Sequence, residues 1–242
     1  MKRLIIPDIH HRTAVADQIL AAEPVAAGEV YFLGDYQDDF HDTPAHARST
    51  AQWMLRQIEA GHHLLWGNHD LPYGFWAKRH DCPGYTPEKA AAVNKVLTPD
   101  HWRHLRLWHI IHDGPRPWIL SHSGIERPWI PPGTADPVAY LTALEQEVLD
   151  GLYQRGESHP LLTYCSASRG GPDPYSGVLW MDWGDFRPIP GLNQIVGHTP
   201  LRNPDEYSNA ESWNWCIDTH LKHYAILENG ALSLHRVDGI GR

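Results

Sequence analysis

Aspartate, histidine and asparagine recur along this chain in short bursts, each directly after an apolar run. Asp8, His10 and His11 follow "RLIIP". Asp35, Asp38 and Asp39 follow "EVYFLG", and Asn68, His69 and Asp70 follow "HLLWG". His122 ends "WILSH", His198 ends "NQIVGH", and Asp218 and His220 close "WNWCIDTH". Asp8, His10, Asp35, Asn68, His122 and His198 offer oxygen and nitrogen donors without sulfur. That mixture suits manganese, iron or zinc better than calcium or magnesium alone. Six groups exceed what one zinc ion requires, and two metals sharing a carboxylate would use them all. Asp8 and His10, one residue apart, share a side of an extended strand. Glycine precedes Asp35, Asn68 and His198, which lets backbone approach an ion without a side chain in the way.

The apolar runs that deliver these residues read as strands, and helical stretches lie between them. Thr13 to Ala22 reads as the first helix. Helices also start at Thr43-Pro44, ending at Gly61, and at the Thr-Pro pairs of "TPEKAAAVNKVL" and "TPDHWRHL". "DPVAYLTALEQEVLDG" is a further helix, and Asn229-Gly230 marks a hairpin turn. Strands alternating with helices predict an α/β fold, with ligands at the carboxyl ends of strands. Tyr164 to Gly177, rich in Gly, Pro and Ser, reads as a long surface loop. No repeat or linker divides the chain, so residues 1–242 read as one domain.

The chain has 242 residues, 42% of them hydrophobic, which is enough for a sizeable core. A formal net charge of −9 argues against a large basic face for duplex nucleic acid. No apolar run approaches the length that spans a bilayer, and "MKRLIIP" reads as a first strand rather than a secretory signal. Cys82, Cys165 and Cys216 are odd in number and far apart, which favours neither a disulfide framework nor a thiolate zinc site. A reducing cytoplasm is the expectation. Most of the 18 histidines stand in no motif and read as surface or packing residues. Trp213 and Trp215 alternate in "WNWC" as strand residues packed in a core. Trp180 and Trp183 are open to two readings, core rings or the border of a substrate pocket.

The ordered set D-x-H, G-D-x-x-D, G-N-H-D, an isolated strand-end histidine and G-H-T resembles the calcineurin-like metallophosphoesterase superfamily. Its details are similar to the branch of serine/threonine protein phosphatases and symmetrical diadenosine tetraphosphatases. The resemblance runs from Asp8 to about Asp218 and implies two packed β-sheets flanked by helices, in four α/β/β/α layers. It implies that Asp8 and His10 hold a first metal, that Asp35 bridges, and that Asn68, His122 and His198 hold a second. His69 matches the catalytic histidine and Asp38 the carboxylate that orients it. The implied reaction is hydrolysis of a phosphate ester. Two cations roughly 3.5–4 Å apart clamp the phosphoryl group and acidify a bridging water, and the resulting hydroxide attacks. His69 then assists the leaving group.

One position departs from the pattern. These phosphatases read G-D-x-x-D-R-G, but "GDYQDDF" places Asp39 where the phosphate-gripping arginine would stand. A carboxylate repels phosphate, so another cation is needed. Arg169 in the Gly-rich loop is the first candidate, Arg187 the second and Arg79 the third. The expected substrate is a small phosphate ester or nucleotide, with a phosphoprotein as the competing class. The alternative function is a non-catalytic binding module on the same scaffold.

Overall fold

The computed structural model describes residues 1–76 and 80–240. Two mixed sheets of five strands each carry the fold, with helices on the outside. The first sheet runs in the order β10-β9-β1-β2-β3, built from β1 (Arg3–Ile6), β2 (Val30–Phe32), β3 (His63–Leu64), β9 (His223–Glu228) and β10 (Ala231–Arg236). The second runs β4-β5-β6-β8-β7, from β4 (Trp108–Ile111), β5 (Trp118–Ser121), β6 (Asn193–Val196), β7 (Asp205–Ser208) and β8 (Trp213–Cys216). Within the first, β1, β2 and β3 are parallel neighbours. Within the second, β5, β6 and β8 are parallel neighbours. Each parallel trio sends its carboxyl ends to one edge, and every polar burst of the sequence leaves from such an end.

Side-chain alternation divides the core in two. On β1, Leu4 and Ile6 face the larger cluster beneath the helices. Ile5, between them, faces a second cluster with Tyr31, Leu33, Trp118, Leu120 and Ile195. That second cluster draws on both sheets and is the seam between them. Period-two burial on both faces is what a covered sheet requires. Trp213 and Trp215 are half-buried against this seam, whereas Asn214 between them and Cys216 after them are fully buried on the opposite face. Trp183 is a core ring stacked on Phe186 at 4.8 Å.

The helices are α1 (Thr13–Ala22), α2 (Pro44–Glu59), α3 (Leu71–Gly74), α4 (Pro87–Val93), α5 (Pro99–Trp102), α6 (Pro137–Asp150) and α7 (Pro160–Thr163). Threonine before proline starts three of them as expected. Thr43 Oγ1 accepts from His46 N at 3.3 Å and Thr86 Oγ1 from Lys89 N at 3.2 Å, while Thr98 opens α5. Helix α2 packs against α4. The Tyr164–Gly177 stretch is less irregular than its composition suggests, with a 3-10 turn at Ala167–Arg169 and a bridge between Ser166 and Asp173.

Candidate metal centre

The carboxyl ends of β1, β2, β5 and β6 converge. Asp8, His10 and Asp35 bring one ligand atom each within 4.8 Å of one another, and so do Asp35, His122 and His198. Asp35 belongs to both groups. Asn68 joins through its side-chain oxygen, 2.9 Å from His122 Nε2.

Three glycines make room for this. A Cβ on Gly67 would lie 2.1 Å from Asp35 Oδ1, and one on Gly197 would lie 2.0 Å from Asp8 Oδ1. Gly34 turns the chain into Asp35 at φ +106, a conformation that side chains oppose. Non-glycine residues are held in the left-handed region too: His10 at φ 41, Asp35 at φ 50, Asp38 at φ 64 and His198 at φ 66. Such backbone persists where the surroundings over-determine it, and it gathers at functional sites. Here the surroundings are hydrogen bonds between loops. Ile9 N and His10 N both donate to the Asp35 carbonyl, at 3.0 and 2.8 Å. Asp70 accepts from Tyr36 N at 2.9 Å, Gln37 N at 3.2 Å and Gly67 N at 3.1 Å, and so braces the second and third bursts against each other.

The donor set fits a cation. His122 Nδ1 donates to the Leu33 carbonyl at 2.9 Å, which leaves Nε2 of the neutral ring as a lone pair. That lone pair faces Asn68 Oδ1 at 2.9 Å, His198 Nδ1 at 3.0 Å and Asp35 Oδ1 at 3.4 Å. The Asn68 amide nitrogen is turned away, donating to Cys82 Sγ at 3.1 Å. His198 Nε2 is buried without a hydrogen-bond partner among the described residues. The Asn68 and Asp35 oxygens and the ring lone pair are all acceptors and repel unless a positive charge lies between them. Electrostatics agree. Burial, with Asp218 and then Asp35 close by, pushes the Asp8 carboxyl well above the usual range, and burial with Asp70 does the same to Asp35. Burial lowers His122 to about 3, and burial followed by His122 holds His198 well below the usual imidazole range. His10 donates Nδ1–H to the Asp38 carbonyl at 2.6 Å and aims Nε2 at Asp35 Oδ2, 3.6 Å away.

His69 stands beside this group. Its backbone N–H donates to Asp35 Oδ1 at 3.0 Å, and its Nδ1 meets Asp38 Oδ2 at 3.0 Å. Asp38 Oδ1 accepts from Tyr73 Oη at 2.5 Å and from Lys89 Nζ at 2.6 Å. Burial pushes the Asp38 carboxyl up, but the hydrogen bonds from His69, Lys89 and Tyr73 outweigh it and hold the group below its usual range. For His69 burial wins. The imidazole is lowered, and the Asp38 carboxylate offsets only part of the effect.

Solved structures share this arrangement of sheets. A cold-active protein-tyrosine phosphatase of a psychrophilic Shewanella matches at a TM-score of 0.62 and 16% identity, over 98% of this chain and 78% of its own. A candidate diadenosine tetraphosphatase matches at 0.56 and 15%, over 97% of this chain and 93% of its own. This is the calcineurin-like metallophosphoesterase fold. No protein-family profile matches the sequence, and no curated protein does.

Asp39 forms an ion pair with Arg12 at 3.2 Å, so a guanidinium just beyond the first burst stands beside that carboxylate. Sequence reasoning passed over Arg12 because the partners are supplied by different loops. Arg169 lies near the second group of ligands. Its Nη2 donates to Thr199 Oγ1 at 2.8 Å, next to His198, and its Nε pairs with Asp182 at 2.8 Å. Its charge helps to lower both His122 and His198. Arg187 lines a cavity of about 510 Å³ with Arg127, Pro131 and Pro190, next to Phe186, which stacks on Trp183. Arg79 lies outside the described residues. Trp180 places its ring 6.3 Å from that of His198. Tyr73 and Lys89 also went unmarked in the sequence, and Cys82 was read only as one of three scattered cysteines, since each resembles an ordinary loop or helix residue until its distant partner is known.

Proposed function

We propose that this protein is a dinuclear-metal-dependent phosphoesterase. The observation that carries the reading is the sharing of Asp35 between two groups of ligand atoms, Asp8–His10–Asp35 and Asp35–His122–His198, with Asn68 and the His69–Asp38 pair alongside. Asp8 and His10 would hold the first ion and Asn68, His122 and His198 the second, with Asp35 common to both. Manganese, iron or zinc suits these donors. Ions bound there would neutralise charge on the phosphoryl oxygens and acidify water.

The chain's own groups do the rest. His69 in its protonated form gives the Nε2 proton to the leaving oxygen as the P–O bond breaks, and the neutral ring keeps Nδ1–H on Asp38. Such general acid help is worth about 10²–10⁴-fold. Asp38 fixes the ring and favours its charged form. Arg169 would bind the phosphoryl oxygens, stabilising charge without moving a proton. Both sheets supply ligands, so residues 1–242 act as one domain in this reading. The cysteines are all free, in keeping with a cytoplasmic protein.

The substrate we propose is a small phosphate ester or nucleotide. Phe40, 93% exposed, lies two residues beyond Asp38, and Trp76, 60% exposed, lies two beyond α3. With Trp180 they favour an ester with a planar leaving group. Phosphotyrosine, implied by the name of the first similar structure, leaves a planar phenol, and a diadenosine polyphosphate, implied by the second, carries planar adenines beyond its phosphates. Hydrolysis of p-nitrophenyl phosphate and its bis ester with added manganese tests the reading. Turnover above a chelated control supports it, and none across several metals defeats it. Preference for phosphopeptides over nucleotides in a substrate panel would overturn the small-molecule assignment.

A further inference from the structure

Lys89 is 3% exposed and sits in the first turn of α4. Both facts count against a lysine. Burial disfavours an ammonium, and the helix N-terminus carries partial positive charge. Two carboxylates compensate. Lys89 Nζ lies 2.6 Å from Asp38 Oδ1 and 2.9 Å from both oxygens of Asp42. Asp42 is held in turn by His11 Nε2 at 2.8 Å. The other oxygen of Asp38 is the one that meets His69 Nδ1. Gly84, at φ +98, walls the carboxylate in, since a Cβ there would lie 2.9 Å from Asp38 Cβ and Cγ.

We propose that Lys89 is a positioning residue for His69, acting through Asp38. It pins Oδ1 on the helix side, so that Oδ2 is presented to Nδ1–H of His69 and the imidazole is turned with Nε2 toward the leaving group. Tyr73 shares Oδ1 but carries no charge to offset the repulsion between Asp38 and Asp42. The inference rests on the role given to His69 above. A lysine that only neutralised Asp38 and Asp42 would support the fold equally for every substrate. A lysine that positions the acid matters most when the leaving group needs a proton.

The test compares Lys89→Met, Lys89→Arg and His69→Ala on p-nitrophenyl phosphate, whose leaving group needs little protonation, and phenyl phosphate, which needs more. Lys89→Met should lose roughly 10–100-fold in kcat on phenyl phosphate, several times its loss on p-nitrophenyl phosphate. KM and metal content should hold, and Lys89→Arg should recover most of the loss. Should Lys89→Met not fold, Lys89→Gln keeps a donor in the same space and gives the same comparison. The proton NMR signal of His69 Nδ1–H in metal-free protein, identified by its loss in His69→Ala, should persist in Lys89→Arg and vanish or move in the uncharged variants. Equal losses on both esters, with that signal unmoved, overturn the proposal while the phosphoesterase reading stands. Wild-type protein inactive on both esters with every metal overturns that reading, and the role of Lys89 with it.

Discussion

At Gly197 one methyl group would collide with the centre. Its Cβ would stand 2.0 Å from Asp8 Oδ1, where neither backbone nor a hydrogen-bonded carboxylate can yield cheaply. Gly197→Ala should destabilise the protein by about 1–3 kcal/mol and weaken metal uptake, read by denaturant titration and elemental analysis. His69→Ala should behave in the opposite way. With its partner Asp38 still held by Lys89 and Tyr73, metal content should be unchanged while kcat falls about 10²–10⁴-fold. At this scale the sequence spoke clearly where chemistry follows an apolar run directly, as at Asp8, Asp35 and His198. It was silent on Lys89, which reads as a polar residue in a capped helix. Its carboxylate partners lie 51 and 47 residues away, and only folding brings them together.

Among the elements, β3 has the least to hold it. Two residues pair in it, and the Leu65–Arg106 bridge extends it toward the other sheet. What fixes the Asn68–His69 turn is Trp66, fully buried, stacked on Trp102 at 5.1 Å and donating Nε1–H to Tyr153 Oη at 3.1 Å. Trp66→Ala should cost about 3–5 kcal/mol and loosen the second group of ligands. Thermal unfolding and the metal stoichiometry of the folded fraction would report both effects. The capped helices and the Asn229-Gly230 hairpin were legible because their signals are local. Two strands were not. β7, "DEYS", is exposed throughout and offers no alternation to read. β4 lies in the histidine-rich "HLRLWHIIHD", where polar and apolar residues mix without a strand period.

Across the whole molecule, the fold buries Asp8, Asp35, Asp38, Asp70 and Asp218 around one point. In metal-free protein Asp8 and Asp35 hold protons to higher pH than the unfolded chain does. The folded state is then the one that binds more protons, so stability falls as pH rises from the ordinary carboxylate range through the raised values. His122, lowered to about 3, acts in the other direction. The unfolded chain takes up its proton first, and stability is lost as pH drops from the ordinary imidazole range toward 3. A bound cation displaces the carboxylate protons. Manganese should therefore raise the melting temperature more at pH 8 than at pH 5.5, by calorimetry against a chelated control, and a smaller increment at pH 8 would contradict the ligand assignment. The described residues contain no helix long and apolar enough to cross a membrane. By itself the sequence determined the strand ends, the donor types and their order, because residue type and spacing act locally. Only the tertiary structure decided that two sheets bring those ends to one point, that Arg169 bonds Thr199 beside His198 while Arg187 lines another cavity, and that Asp38 is gripped by Lys89. Those outcomes depend on how separate chain segments pack, and no local pattern encodes the distance between them.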